Sequence, residues 1–165
     1  MKRHGFDRSR AVKVLATGVR SATARAADDF DNHVQSVLAR QMFEMAGIGP
    51  DEVDVAEVHD AASLGELTAM ENCGLCKPGE SGVMAERGDT TIGGKLPINP
   101  SGGLESKGHP IGATGTGQIF EIVQQLRGEC GERQVEGARI GIQVNGGGLW
   151  GIEESTDHIG IFGRA

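Results

Sequence analysis

Apolar positions along the chain change period as the sequence advances, and each change predicts an element. Residues 11–19 (AVKVLATGV) are short and largely apolar and predict a buried first strand. From about 33 to 46, Val34, Val37, Leu38, Met42 and Met45 recur at helical spacing, and Gly47 with Gly49-Pro50 stops that helix. Residues 53–58 alternate as a second strand that ends on His59-Asp60. A second helix follows over about 62–72 and stops near Gly74. Residues 77–113 predict a long loop region with room for one short strand. Thr114 or Thr116 then caps a helix whose apolar face is Ile119, Ile122, Val123 and Leu126. A strand over 139–144, a glycine turn at 146–148 leading into 149–152, and a final strand over 157–162 complete the pattern.

Strands alternating with helices predict an α/β fold, a mixed or parallel sheet covered by helices. The count allows a mixed five-stranded sheet in one domain over 11–165, after a lead-in over 1–10. Sites in such sheets form beyond the carboxyl ends of the strands. His59, His109 and Asn145-Gly146-Gly147 all follow a strand or precede a helix, so they are expected to meet at one edge. The helix starting near Thr114 would point its positive end there.

Composition narrows the class. With 38% apolar and 24% charged residues the chain reads as an ordinary globular protein. The net charge of −7 argues against a general nucleic-acid or anionic-membrane binder. No apolar run approaches the ~20 residues that span a bilayer, and the basic N-terminus lacks the apolar segment of a secretion signal. The expectation is a cytoplasmic protein. The three cysteines, Cys73, Cys76 and Cys130, are an odd number with one CxxC pair and no second ligand pair. They predict neither a disulfide framework nor a metal site, and the CxxC pair is read as the close of a helix.

The candidate chemistry concentrates in residues 99–115, NPSGGLESKGHPIGATG, where glycines and two prolines crowd around His109. That composition costs chain entropy and adds little packing. It suits a backbone that turns sharply beside a ligand while holding one imidazole. Asp60 either orients His59 or caps the helix at Ala62. Asn145 before two glycines is a carbonyl donor or ordinary turn chemistry. Lys107 and Arg87 are loop cations, available to phosphate or simply solvated, and His4, His33 and His158 are expected to face solvent.

Three motifs together resemble the C-terminal half of thiolases, enzymes that make or cleave 3-ketoacyl-coenzyme A, and most of all the sterol-carrier-protein type. They are Val58-His59-Asp60-Ala61-Ala62, the loop 99–115, and Val144-Asn145-Gly146-Gly147-Gly148. The resemblance implies that His109 helps to activate a nucleophilic cysteine and donates to the thioester oxygen, and that His59 completes the oxyanion hole directly or through a water. It implies that Ser101, Gly102 and Gly103 shape the loop beside the substrate and that Gly146 and Gly147 border the acyl pocket. It implies a coenzyme A thioester as substrate, no metal and no tightly bound cofactor.

The departures from the family pattern are as informative. Val144 stands where the family's acid/base cysteine is expected, and Ala61 where the sterol-carrier type has a cysteine. The N-terminal half, with its acyl-accepting cysteine, has no counterpart. An apolar helical face and a partner, either the thiolase N-terminal domain or a partner subunit in an oligomer, are therefore expected. Three readings follow: an acyltransferase domain inactive as this chain alone, a coenzyme A-thioester retro-aldolase lacking the acid/base cysteine, or a non-catalytic assembly subunit.

Overall fold

The computed structural model describes residues 8–165; His4 and most of the lead-in lie outside them. A single 3-10 turn precedes strand β1 (Val12–Ser21), followed by α1 (Val34–Ala46), β2 (Val55–Glu57) and α2 (Ser63–Asn72). Two short helices, α3 (Ser81–Glu86) and α4 (Gly103–Lys107), interrupt the expected loop region. Then come α5 (Thr114–Arg127), β3 (Ile140–Gly146), a hairpin of β4 (Leu149–Trp150) and β5 (Glu153–Glu154), and β6 (Thr156–Arg164).

The main sheet runs β1-β6-β3-β2. β6 is antiparallel to both β1 and β3, whereas β2 and β3 are parallel, so the sheet is mixed. It has four strands rather than five. Residues near Ile98 make only a single parallel bridge to Ala56. Pro97 and Pro100 have no N–H to donate, and Asn99, at φ 49°, turns the chain away. The segment 149–152 forms its own two-stranded hairpin.

Helices cover both faces, which is why β2 and β3 are nearly continuously buried. On one face Leu38, Ala39 and Met42 of α1, Ala69 and Met70 of α2 and Met84 of α3 pack on Ile142, Val144, Ile159 and Ile161. On the other, Ile122 and Leu126 of α5 meet Val55 and Phe162. The helical periodicity of α1 overreaches at Met45, which is exposed. Cys73 closes α2 as its last cap residue. Among the described residues no helix is long and apolar enough to cross a membrane. Among the described residues no group of three or more His, Cys, Asp or Glu is placed to hold a metal ion.

Two histidines expected in solvent are held by the fold. His33 is buried and caps α1, its Nδ1 accepting from the Gln35 N–H at 3.2 Å. His158 is half-buried between Thr17 and Gln143, at 2.9 and 2.8 Å. The hairpin turns its polarity inside out. Glu153 is buried and accepts from the Thr23 and Val34 N–H groups and from Arg25 Nε, all within 3.0 Å. Leu149, Trp150 and Ile152 meanwhile face solvent. Nearby Asp157 is fully buried, with one oxygen accepting from Gln35 Nε2 at 3.3 Å and the other unpartnered. Burial, reinforced by Glu154, pushes its carboxyl up to about 7.

Ile142 is fully buried at the sheet centre; Ile142→Ala should lower unfolding free energy by about 2–5 kcal/mol in urea titrations, and a loss near zero would place the core elsewhere. Asp157 folds best when protonated, so its contribution is present at low pH and lost as pH rises through its folded value of about 7. Asp157→Asn should therefore gain stability relative to wild type between about pH 4 and 7, by roughly 2–4 kcal/mol, and hold the gain above. Denaturant titrations across pH read this difference, and a pH-independent one would show that Asp157 is ionised in the folded chain.

Candidate active site

β2 is the shortest strand of the main sheet, and the residues at its exit organise the site. Asn99 Oδ1 accepts from the Val58 N–H at 2.8 Å, and the Asn99 N–H donates to the Ala56 carbonyl at 2.8 Å. The other end of that amide donates to Glu66 Oε2 at 2.9 Å, and burial raises the Glu66 carboxyl. The loop 99–108 is thereby pinned against β2. Asp60 caps neither its own helix nor His59: its oxygens accept from the Leu104 and Glu105 N–H groups of α4, at 2.7 and 3.5 Å. Gly103, at φ 63°, lies so close that a Cβ there would overlap the Asp60 carboxylate.

Two imidazoles meet where these segments converge. The rings of His59 and His109 stand edge to face, with centroids 4.9 Å apart. His59 is half-buried, and its Nδ1 lies 3.3 Å from Asn145 Oδ1 at the end of β3. That oxygen only accepts, and the Asn145 amide donates to the Gly146 carbonyl at 3.4 Å. His59 therefore carries its proton on Nδ1 and leaves Nε2 with a free lone pair. Burial lowers the His59 pKa; the Asn145 bond opposes this and His109 adds to it.

His109 is exposed, and its Nδ1 lies 2.6 Å from Thr114 Oγ1. The Thr114 hydroxyl donates to the Pro110 carbonyl at 3.2 Å. Its single proton is thus engaged, so His109 donates from Nδ1 and, when neutral, presents the Nε2 lone pair. Thr114 was expected to cap α5. It is the first residue of that helix instead, and Ala113 at the cap makes no side-chain bond. The open amino end of α5 lies beside His109, a favourable place for negative charge.

The remaining candidates divide. Asn145 and Gly146 join the histidines: a Cβ on Gly146 would come 2.8 Å from Glu154 Cγ and 3.6 Å from His59 Cδ2. Gly147 turns toward β6, its N–H donating to the Thr156 carbonyl at 2.7 Å. Gly102 takes φ 94° before α4. Ser101 is directed inward, its N–H and Oγ donating to Glu57 at 3.1 and 2.7 Å. Lys107 joins them, with Nζ 3.2 Å from Glu57 Oε2. It is an ion-pair partner of the fold, and Arg87 likewise pairs with Asp89.

Glu57, fully buried, was not singled out from the sequence; an acidic residue inside an apolar strand was the available signal. Val144 is buried in the core on the α1 face, and Asn145 is the side chain that this turn presents to His59. The cysteines stand apart. Burial raises Cys73, and Cys76 and Cys130 are each pushed up to about 11, so none is a ready thiolate.

Residues 16–160 match the family described as thiolase C-terminal domain-like. The chain is 55% identical over 107 residues to sterol carrier protein 2 of Rattus norvegicus, covering 65% of this chain and 20% of that protein. It is 49% identical over 126 residues to an acetyl-CoA acetyltransferase of Methanothermobacter thermautotrophicus, covering 76% and 32%. With benzoylsuccinyl-CoA thiolase subunit BbsB of Thauera aromatica it shares 40% over 141 residues, covering 83% and 37%. The chain thus spans between a fifth and rather more than a third of these relatives. The solved Ltp2-ChsH2(DUF35) aldolase has the same fold, with a TM-score of 0.74 at 21% identity, covering 93% of this chain and 39% of that one. On the match over 16–160, this chain belongs to the thiolase C-terminal domain-like family.

Proposed function

We propose that the chain is the C-terminal part of a thiolase-like acyltransferase acting on coenzyme A thioesters, and that His59 and His109 form its thioester site. The observation that carries this reading is their convergence: two imidazoles 4.9 Å apart at the carboxyl edge of the sheet, each with its Nδ1 at hydrogen-bond distance from a side-chain oxygen. The nucleophilic cysteine comes from outside this chain, from a thiolase N-terminal domain or a partner subunit, since no cysteine of the chain stands at the site.

His109 Nε2 takes the proton of that thiol as the sulfur bonds to the thioester carbonyl carbon. The resulting Nε2–H donates to the oxygen on which negative charge develops, and the amino end of α5 adds its field. When the carbonyl reforms, the bond to the coenzyme A sulfur breaks and His109 returns the proton to the leaving thiolate. His59, neutral with Nε2 unprotonated, accepts a hydrogen bond from a water, whose second hydrogen reaches the same oxygen. This favours the water-mediated form of the oxyanion hole over direct donation. Each such donor is worth a few kcal/mol of barrier.

The second reading, a retro-aldol cleavage of a coenzyme A thioester, rests on the turn after β3. Val144 is buried and Asn145 transfers no proton, so that turn supplies no base for removing a proton next to the carbonyl. Assaying the same assembly for thiolytic against aldol cleavage separates the two.

Paired with its N-terminal half, the protein should form a covalent acyl adduct seen by intact mass, and His109→Ala should cut its rate of formation by at least about 100-fold; an unchanged rate removes His109 from the mechanism. Nitrogen NMR of the histidine rings should find His59 neutral at pH 7 with its proton on Nδ1, titrating below 6.5. A His59 that titrates above that value would remove the water-mediated role.

A further inference from the structure

We infer that Glu57 is a positioning residue for His109, acting through both ends of α4. This rests on the proposed role of His109, but the geometry it concerns can be measured without activity. Glu57 lies on β2, two residues before His59, and its side chain is fully buried. One oxygen accepts from the Ser101 N–H at 3.1 Å, and the other from the Ser101 hydroxyl at 2.7 Å and Lys107 Nζ at 3.2 Å. The ammonium also donates to the Ser101 hydroxyl, which in turn accepts from the Gly103 N–H at 3.3 Å.

Ser101 precedes α4, and Lys107 is its last residue. Gly108 follows in a conformation that favours glycine, φ 89°, and His109 comes next. A five-residue helix has too few internal bonds to hold its own place. Its amino end hangs on Asp60, and the departure of the chain toward His109 hangs on the Glu57–Lys107 pair. His59, Glu57 and Asp60 leave the same strand. The strand that presents one imidazole therefore sets the distance to the other.

Burial raises the Glu57 carboxyl, and Lys107 is the largest opposing influence. Ser101 was read as a residue beside the substrate; on this inference its hydroxyl serves inside the clamp.

The test compares Glu57→Gln with Lys107→Gln, the latter altering the more exposed partner, so that it stays informative if the buried change prevents folding. In this chain, nuclear Overhauser contact between the His59 and His109 rings should be present in the wild type and at least threefold weaker in each folded variant, while the methyl shifts of Ile142 and Ile159 stay put. In the acyl-transferring assembly, kcat should fall about 10- to 100-fold with KM within about threefold, the size expected of a misplaced catalytic group. Met84→Ala, which loosens the core at α3, should lower stability without that loss of kcat. Ring contact preserved in both variants, or a kcat loss matched by Met84→Ala, would overturn the inference. If the wild-type assembly transfers no acyl group, the functional reading falls, and the ring contact alone still decides the positioning role.

Discussion

The site depends on one constraint, the attachment of the loop 99–108 to the exit of β2. That strand is three residues long, and by itself could not bring together two histidines from segments fifty residues apart. It does so because its flanking polar groups are all directed at the same loop. Glu57 and Asp60 accept from α4, and the Ala56 carbonyl and Val58 N–H bind both the backbone and the side chain of Asn99. Buried carboxylates in such numbers are tolerated because each is met by backbone N–H groups or an ammonium, which offsets the cost of removing charge from water. The polar interior under the loop is the scaffold of the histidine pair.

A second polar interior lies behind Gly146. Glu153 ties the hairpin to the start of α1, Glu154 Oε2 lies 3.5 Å from His33 Nε2, and Asp157 keeps one buried oxygen without a hydrogen-bond partner. The same hairpin exposes Leu149, Trp150 and Ile152, and Ile111 and Phe120 are exposed on and after the His109 loop. Around this hairpin, charge lies inside and apolar side chains lie outside. The relatives that this chain resembles extend far beyond the part it matches, and an exposed His109 is in keeping with a site that another segment closes.

Much of this was legible in the residues. The positions of α1 and α5 and of the strands were legible because they are local properties, fixed by side-chain spacing and by where glycine and proline permit a turn, although the period of α1 overreached at Met45 and the expected loop holds two short helices. What escaped was non-local. That Asp60 would cap α4 rather than α2, that Ser101 would point inward, and that Lys107 would pair with Glu57 depends on how a loop folds back over a strand more than forty residues away. The missing fifth strand, for which the loop region had room, had a local cause in the two prolines around Asn99.

The sequence by itself determined the family and the α/β class and marked two histidines as candidates, because motif residues and periodicity are written in neighbouring positions. Only the tertiary structure decided the protonation of those histidines. Each tautomer is set by a partner's hydrogen-bonding capacity, Asn145 for His59 and Thr114 for His109. It also decided that Asn145, not Val144, faces the site, since the side of a strand that a residue occupies follows from its register in the sheet. Chemistry at this site is a matter of which atom holds a proton and which holds a lone pair, and that is settled by contacts across the fold.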